Sequence, residues 1–310
     1  MAHVTCIGGA CIDRKYHLSL HPQPGTSNPA HARRSFGGVA RNVAENLARL
    51  GVHTALLCVI GDDENGLALL DDAQRAGIDA ALVVRDSRHV TAEYCAVVDP
   101  AGELVIGASD MHAVDALDIE DVEKRWNAIA QSRWVFMDCN VPAHVLAWCI
   151  DRARESRFKL ALDAVSEPKV RRLPRDLRGV DLLVLNEKEA AMYLGEDCDA
   201  FFARTPIERA RAVRACGASA VILTRGAAGV VSCTEDAREI TALTARCVDV
   251  TGAGDALIAA TIHRLLQGDD LCEAARVGSL CAGLTVESPA SVRPDLSAAL
   301  LDAQKGRIPA

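Results

Sequence analysis

A glycine-rich turn followed at once by a carboxylate stands near the C-terminal end of the sequence. It reads DVTGAGDA from Asp249 to Ala256, and the apolar run LIAATI after it predicts that a helix begins here. Free backbone N–H groups at a helix start, on the positive end of the helix dipole, form a ready site for phosphate. A carboxylate beside that site, Asp255, is suited to take a proton from a hydroxyl group that attacks phosphorus. The alternative is a tightly packed helix start that Asp255 merely caps.

Two better-known glycine-rich motifs do not fit this stretch. A Rossmann fingerprint needs G-x-G-x-x-G after an early strand, but Leu257 occupies the last glycine position and the motif lies late in the chain. A Walker P-loop needs Gly-Lys-Ser/Thr, which the sequence lacks. The remaining interpretation is an anion-binding cradle made by the backbone amides of Gly252, Ala253 and Gly254, with Asp255 fixed beside it.

The elements that must position this cradle follow from the pattern of apolar residues. Strand-like runs such as HVTCIGG and AVILTRG alternate with helix-like runs such as VARNVAENLARLG, whose apolar residues lie three and four positions apart. Several helix-like runs end at a glycine (Gly51, Gly77 and Gly217), which is the residue expected at a helix stop. The alternation predicts an α/β fold with a mainly parallel central sheet.

Two regions interrupt this alternation. Residues 13–35 are rich in Pro, His, Ser and Asn, and residues 91–110 read as two strands joined by a turn at Asp99–Gly102. Both are expected to form a small β-strand flap added to the main sheet. We therefore predict one domain, residues 1–310, with these segments as its lid, and the exposed edge of the flap invites pairing with a second chain as a homodimer.

Composition and charge narrow the range of partners. The formal net charge is −8 without a long Lys/Arg run, so a nucleic-acid surface is not expected. No apolar run approaches the ~20 residues of a membrane-spanning helix, and the N-terminus does not resemble a signal peptide. The twelve cysteines form no C-x-x-C pair, which predicts buried thiols in a reducing, cytoplasmic compartment. A small substrate is the better expectation.

Four motifs, in this order, resemble the signatures of the ribokinase-like (PfkB) family of sugar and nucleoside kinases. The resemblance covers nearly the whole chain and implies a three-layer αβα sandwich with a small β-strand lid. The motifs are FGGVARNVAENLARLG (36–51), LNEKE with Asn186 and Glu189, TRGAAG with Thr224, Gly226 and Gly229, and DVTGAGD (249–255).

The resemblance implies that the chain transfers a phosphoryl group from ATP to an alcohol. Asp255 would be the general base for the acceptor hydroxyl, and the amides of the cradle would stabilise the charge that develops during transfer. The sugar hydroxyls of the acceptor would bind three residues that match the family's positions, namely Asp13, Gly38 and Asn42. Amide and carboxylate groups suit a vicinal diol, because they donate or accept in pairs.

Two further residues are implied to organise Mg²⁺ and phosphate. Asn186 and Glu189 match the family's pair, with Glu189 acting through water because Mg²⁺ keeps much of its hydration. Taken from the local sequence alone, the same pair predicts a helix N-cap and its capping-box partner. Thr224, Gly226 and Gly229 would form the loop that contacts ATP.

A monovalent cation, usually K⁺, is also implied beside the anion cradle. Asp249 and Thr251 match its ligands, and Ser291 is a weaker candidate in a later loop. Read without the resemblance, Asp249 is a solvated charge at the end of a strand. An ion at this place would orient the loop that carries the amides.

Within the family, further segments are most similar to the pseudouridine kinases, which implies phosphorylation of the 5′-hydroxyl of pseudouridine. One position departs from the pattern, because Cys11 in GGACID replaces an Asn that can contact substrate. The departure keeps open another sugar or nucleoside kinase of the ribokinase or adenosine/uridine type, and a non-catalytic ligand sensor is the alternative outside enzymes. The similar segments are SNP (27–29), SDM (109–111), DCN (138–140), AVSEPK (164–169) and SPASVRPDLS (288–297).

The residues that would contact a nucleoside base are the least specified. Tyr94 and Asp110 in the flap, and Asn140 at a strand end, are the candidates. A flap that closes over the site would exclude water, which would otherwise accept the phosphoryl group.

Overall fold

The computed structural model describes residues 2–308, which form three β-sheets and helices on both faces of the largest sheet. In chain order the strands are β1 (Val4–Ile7), β2 (Cys11–Leu18), β3 (Ala30–Gly37), β4 (Thr54–Leu57), β5 (Val59–Gly61), β6 (Val84–Asp86), β7 (Glu93–Val98), β8 (Leu104–Asp110), β9 (Trp134–Asp138), β10 (Lys159–Asp163), β11 (Leu182–Asn186), β12 (Ala220–Thr224), β13 (Val230–Cys233) and β14 (Ala237–Ile240). The α-helices are α1 (Val39–Arg49), α2 (Glu64–Arg75), α3 (His112–Asp115), α4 (Ile119–Glu123), α5 (Trp126–Ile129), α6 (Ala143–Ala153), α7 (Glu167–Val170), α8 (Glu187–Leu194), α9 (Cys198–Phe202), α10 (Pro206–Arg214), α11 (Ala253–Gln267), α12 (Leu271–Thr285) and α13 (Ala298–Gln304).

The central sheet has eight strands in the order β14-β13-β12-β11-β10-β9-β1-β4. The six strands from β12 to β4 run parallel, whereas β13 and β14 add an antiparallel edge. Helices α1, α11 and α12 contribute to the hydrophobic core on one face, and α6, α8 and α10 contribute to the core on the other. The predicted three-layer αβα fold with a mainly parallel sheet is confirmed.

Strand β9 shows why these apolar runs become central strands. All five of its residues are buried, because helices cover both faces of the sheet. Val135 and Met137 belong to one core, while Trp134 and Phe136 belong to the other, as the period of two in a strand requires. Asp138 then ends the strand at the carboxyl edge of the sheet.

The order in which the chain adds strands reverses at β1, next to the edge strand β4 of this sheet. From β1 the chain moves to β4 on one side, and later returns to place β9 on the other side of β1. In parallel α/β sheets a crevice opens at the carboxyl ends of strands at such a switch point, and ligands bind there. The glycines Gly8 and Gly9 follow β1 at this place, opposite Asp138 of β9.

A second, four-stranded sheet has the order β3-β2-β7-β8 and confirms the small β-strand region predicted from the sequence. Strand β2 pairs antiparallel with β3 and parallel with β7, and β7 forms a hairpin with β8. The hairpin turn is closed by the Gly102 N–H, which donates to the Asp99 carbonyl, and Gly102 has a positive φ of 89°. We call this sheet the lid sheet, and its edges are β3 and β8.

Three predicted helix stops carry glycine in the left-handed region. Gly51, Gly77 and Gly217 have φ values of 82°, 81° and 116°, respectively.

All twelve cysteines are free thiols. Within residues 2–308, no helix combines the length and the apolar character that crossing a lipid bilayer requires.

Candidate active site

The carboxylate of Asp255 lies in the first turn of α11 and is buried, with 8% of the residue exposed. The Asn42 side-chain Nδ2 of α1 donates a hydrogen bond of 2.8 Å to Asp255 Oδ2. Burial raises the pKa of Asp255 to about 7, the bond from Asn42 opposes this rise, and the nearby carboxylates of Asp138 and Asp13 add to it. A group with this pKa exchanges a proton readily at neutral pH.

Of the three backbone amides predicted to bind an anion before α11, one forms a hydrogen bond within the described part of the chain and two do not. The Ala253 N–H donates to the Val250 carbonyl at 3.3 Å, so the chain's own turn occupies this predicted donor. Within residues 2–308, the amides of Gly252, Gly254 and Asp255 have no hydrogen-bond acceptor. A Cβ built on Gly254 would meet no atom within 4 Å, which leaves space for a ligand at the helix start. The free donors at this helix start are therefore the amides of Gly252, Gly254 and Asp255, while the role predicted for Ala253 stays a prediction.

The start of α1 is pressed against the strands that carry Asp13. A Cβ on Gly38, where φ is 97°, would lie 2.4 Å from the Gly9 carbonyl oxygen, and a Cβ on Gly37 would lie 2.1 Å from Asp13 Oδ2. Only glycine allows this close approach. The Cys11 thiol donates a long hydrogen bond of 3.5 Å to Asp13 Oδ1, and burial raises the pKa of Asp13. These contacts place Asp13 beside the helix that carries Asn42.

Asp138 anchors the crevice, although its sequence motif suggested no role for it. Its fully buried carboxylate accepts from the amides of Gly9 (2.9 Å), Ala40 (2.8 Å) and Asn140 (2.9 Å). One side chain therefore joins the loop after β1, the start of α1 and the end of β9. The only signal in the sequence is a carboxylate that ends an apolar strand. Asn140 is held next to Gly9, since a Cβ on Gly9 would lie 3.0 Å from Asn140 Nδ2.

The two flap candidates for base contact lie on opposite faces of the lid sheet. Asp13, Tyr94 and Ser109 are register partners and so share one face. Asp110 is one residue further along β8, pairs with Glu93 on the other face, and binds His112 Nδ1 at 2.7 Å. The structure therefore brings Tyr94 to the face of Asp13 and separates Asp110 from it, which corrects the expectation for Asp110.

The pair Asn186 and Glu189 forms the capping box that the local sequence predicts at the start of α8. Asn186 Oδ1 accepts from the Glu189 amide at 2.9 Å, and Glu189 Oε2 accepts from the Asn186 amide at 2.7 Å. Among the described residues, Glu189 Oε1 accepts no hydrogen bond, so this oxygen remains available for a metal-bound water. Burial raises the pKa of Glu189. Cap and metal site are thus compatible uses of the same carboxylate.

The predicted ATP loop lies next to this cap. Thr224 is the register partner of Asn186 at the ends of β12 and β11, and its hydroxyl donates to the Leu185 carbonyl at 3.5 Å. Gly226 and Gly229 have φ values of 55° and 93°. A Cβ on Gly229 would lie 2.0 Å from a carbonyl oxygen of the neighbouring β14, so this loop requires glycine.

A further carboxylate, Asp163, links the two ends of the crevice and was not singled out by any motif. It ends β10 as the register partner of Asp138. Burial raises its pKa well above the ordinary value, and the charges of Glu189, Asp255 and Asp138 add to the rise. Acidic groups therefore line the carboxyl edge of the sheet from Asp138 at the end of β9 to Glu189 after β11.

The predicted monovalent-cation residues surround the turn before α11. Asp249 Oδ1 accepts from the Thr251 amide (2.9 Å) and hydroxyl (2.7 Å), while Oδ2 accepts from Lys15 Nζ of the lid sheet at 3.1 Å. Burial opposes the ionised form of Asp249, but these bonds outweigh it and lower its pKa. The Ser291 carbonyl lies against Gly252, because a Cβ there would come within 1.9 Å of it. A lysine of this chain thus already neutralises Asp249.

Solved structures share this fold. A carbohydrate kinase from Agrobacterium tumefaciens superposes with a TM-score of 0.87 at 30% identity, covering 100% of this chain and 98% of that chain. A ribokinase from Arabidopsis thaliana, solved with ribose and ATP, superposes with a TM-score of 0.80 at 19% identity, covering 97% and 98%. Fold and crevice together define the ribokinase-like class of sugar and nucleoside kinases.

The sequence defines the family within that class. The pattern of pfkB family carbohydrate kinase matches residues 1–298, and the chain belongs to this family. It is also similar to the pseudouridine kinase of Escherichia coli, with 28% identity over 302 residues that cover 96% of this chain and 94% of that protein. The chain is therefore a sugar or nucleoside kinase, a phosphotransferase with an alcohol group as acceptor.

Proposed function

We propose that this kinase transfers the γ-phosphoryl group of ATP to the 5′-hydroxyl of pseudouridine, which gives pseudouridine 5′-phosphate and ADP. The observation that carries the transfer is the buried carboxylate of Asp255 beside the open amides of the α11 start. Pseudouridine as acceptor is supported by the similarity to the E. coli pseudouridine kinase. Another nucleoside or sugar is the second candidate, because Cys11 stands where family members carry an Asn.

Asp255 acts as the general base in this proposal. With a pKa of about 7, a large fraction of it is ionised at neutral pH and accepts the proton of the attacking hydroxyl. The free amides of Gly252, Gly254 and Asp255 hold the transferring phosphoryl oxygens, and the closed surroundings strengthen these hydrogen bonds. Asn42 keeps the carboxylate oriented through its 2.8 Å hydrogen bond.

The acceptor lies at the lid end of the crevice. Asp13, Gly38 and Asn42 bind the ribose hydroxyls, because their polar groups meet where the lid sheet joins the start of α1. Tyr94, on the same face as Asp13, and Asn140, beside Gly9, are the base contacts that we retain.

The nucleotide lies at the other end, with Thr224, Gly226 and Gly229 along its phosphates. Asn186 and Glu189 fit Mg²⁺, because Glu189 Oε1 accepts no hydrogen bond from the described residues. The metal, when bound, supplies positive charge to the phosphate oxygens.

The loop before α11, from Asp249 to Gly252, is called the cradle loop, and we expect it to hold a monovalent cation weakly. Asp249, Thr251 and Ser291 are the residues that would bind K⁺, but the ammonium group of Lys15 lies 3.1 Å from Asp249 Oδ2. The positive charge that K⁺ would supply is thus partly provided by the chain itself.

Two properties of the whole molecule complete the proposal. The exposed edge strand β8 carries apolar side chains, so we propose that two lid sheets pair in a homodimer. The free cysteines suit a reducing compartment, so we place the reaction in the cytoplasm.

An acceptor screen tests the substrate. Purified protein with Mg-ATP and K⁺ is given pseudouridine, uridine, adenosine, ribose and fructose 6-phosphate, and kcat/KM is measured for each. We expect pseudouridine to be preferred, and a clear preference for another acceptor contradicts the substrate. ATP turnover separates an enzyme from a ligand sensor.

The base role of Asp255 is tested by substitution. Asp255→Asn should lower kcat by several orders of magnitude while the protein remains folded, and near-normal turnover in that variant contradicts the base role.

A further inference from the structure

A buried arginine lies one residue before Asn42 and is used by none of the steps above. Arg41 is 4% exposed, although it carries a positive charge. Its Nη2 group pairs with Glu45 on the same helix (2.5 Å) and with Asp72 on α2 (2.6 Å). Its Nη1 group donates to the Asn42 side-chain Oδ1 at 3.1 Å and to the Phe36 carbonyl at 3.3 Å.

The bond from Arg41 decides which way the Asn42 amide points. A guanidinium group only donates, so it must meet the oxygen of the Asn42 amide and not the nitrogen. The nitrogen of that amide then faces Asp255 and donates to it at 2.8 Å. The bonds therefore run in one direction, from Arg41 through Asn42 to the base.

The charges around the base make this direction important. Asp13 on β2, Asp138 on β9 and Asp163 on β10 face Asp255 with like charge, and Arg41 faces it with opposite charge. An amide nitrogen that donates to a carboxylate favours its ionised form, whereas an amide oxygen in the same place favours the protonated acid. A buried ion pair does not by itself stabilise a fold, because desolvation of the charges opposes their attraction. Stability is therefore a poor explanation for the buried ion pairs of Arg41 with Glu45 and Asp72.

We propose that Arg41 is a positioning residue for the base: it holds the oxygen of Asn42, turns the Asn42 amide nitrogen onto Asp255, and keeps that carboxylate ready to accept a proton. This inference rests on the base role proposed for Asp255. It adds a part of the chain, the α1–α2 contact at Asp72, to the control of that base.

The test compares Arg41→Met with the unchanged protein in two measurements. The first is the pH dependence of kcat/KM for the acceptor that the screen identifies. The second is the pKa of the Asp255 carboxyl by ¹³C NMR of labelled protein without substrate, with the signal assigned by its loss in Asp255→Asn. Once Arg41 is removed, the amide is free to turn and the positive charge that faces Asp255 is lost, so we expect the carboxyl pKa to rise by about one unit. The rate should then fall about tenfold at pH 6 and stay within about twofold at pH 9.

Arg49→Met is the matched control. Arg49 lies on the same helix and pairs with the same Glu45 (2.6 Å), but it does not contact Asn42. We expect its pH profile and its carboxyl pKa to equal those of the unchanged protein. Arg41→Lys is measured beside Arg41→Met, because an ammonium group keeps the positive charge but cannot hold both Asn42 Oδ1 and the Phe36 carbonyl oxygen. A raised carboxyl pKa in Arg41→Lys therefore comes from the released amide and not from a lost charge. The expected rise is then about half a unit.

The outcomes separate this inference from the function on which it rests. A raised carboxyl pKa with a shifted rate profile supports both. A raised carboxyl pKa with an unshifted rate profile supports the positioning by Arg41 and contradicts the base role of Asp255. An unchanged carboxyl pKa in Arg41→Lys overturns the inference, even where the pKa rises in Arg41→Met and the chain phosphorylates its acceptor normally.

Discussion

The carboxylate of Asp255 combines two properties that oppose each other. Burial and neighbouring carboxylates raise its pKa to about 7, which makes it a good base at neutral pH but costs free energy whenever it is ionised in the folded protein. Asn42 offsets part of this cost with one hydrogen bond. The stability and the activity of the protein should therefore respond to pH in opposite directions at this residue.

The activity of the protein should depend on pH through Asp255. Because the proposed mechanism uses the ionised form of Asp255, kcat/KM should rise with pH, reach half its maximum near pH 7 and level off about one pH unit higher, in line with the pKa of about 7. The measurement is a pH–rate profile at saturating Mg-ATP. The residual activity of Asp255→Asn is the control and should lack this limb. A limb that persists unchanged in the Asn variant would assign it to another group.

The free energy of unfolding should also depend on pH through Asp255. The folded-state pKa of Asp255 lies above its usual value of 3.8, so its contribution is fully present below pH 4 and is lost as the pH rises to about 7. Asp255→Asn removes this loss. We expect the variant to be more stable than the unchanged protein at pH 8, by an amount on the order of 2–4 kcal/mol, and to lose this advantage near pH 4. Urea unfolding at both pH values measures it, and an equal difference at the two contradicts it.

Individual residues also show what the sequence alone could tell. Motif order singled out Asp255 and Asn42, and the structure brings them within hydrogen-bond distance. The sequence assigns no role to Asp163, or to Asp138 within the DCN segment, because a single carboxylate at a strand end has no spacing pattern. Asp110 was misplaced because strands alternate their faces, and only the register between β7 and β8 decides which face a residue takes.

At the scale of elements, the start of α11 is the feature most open to test. Gly254 lies within the helix, and a Cβ there would meet no protein atom within 4 Å. Gly254→Ala should therefore fold well and gain up to about 1 kcal/mol of stability, because alanine is the better helix residue. The added methyl group would block the phosphoryl group from the amide, so kcat should fall on the order of 100-fold, as when one such donor is lost.

Gly268→Ala at the other end of the same helix is its control. Gly268 has a φ of 99° and also an open Cβ position, so its substitution strains the backbone by about 1 kcal/mol without approaching the site. We expect lower stability and unchanged turnover. Normal turnover in Gly254→Ala would show that no ligand approaches the helix start.

The contact of Lys15 in the lid sheet with Asp249 in the cradle loop should decide how strongly the activity depends on K⁺. Lys15→Met removes the ammonium group that pairs with Asp249, so the loop should depend more on an external cation. We expect the unchanged protein to retain much of its activity without K⁺, and the variant to lose activity on the order of tenfold unless K⁺ is added. Arg14→Met is the control, because Arg14 lies on the opposite face of β2 and pairs with Glu93. Equal K⁺ responses in the two variants would contradict the prediction.

The elements themselves were predictable to different degrees. The capping box of Asn186 and Glu189 and the apolar strands follow from local pattern. Strand β3 does not, because AHARRSFG is almost wholly exposed and shows no alternation of apolar residues. It is a strand because it pairs along β2, which is a contact between distant residues and not a local preference.

At the scale of the molecule, the lid sheet ends in a strand that is exposed along its whole length. Leu104, Val105 and Ile106 of β8 are 58%, 44% and 62% exposed. Ile106→Glu should convert the proposed dimer to monomers by placing charge at this edge, measured by light scattering after gel filtration. Leu67→Glu on α2, where the leucine is 52% exposed, should leave the dimer intact. A monomeric unchanged protein would contradict the pairing.

The crevice draws on widely separated parts of the chain. The Asp138 carboxylate accepts hydrogen bonds from the amides of Gly9 and Ala40. Asp255 lies in α11, which is synthesised after every strand of the central sheet. During synthesis on the ribosome, the part of the crevice around Asp138 can therefore form before Asp255 is present. A nascent chain that stops before α11 keeps α1 on that face of the sheet but exposes the part that α11 and α12 cover. Such a chain should therefore be prone to aggregation and lack kinase activity.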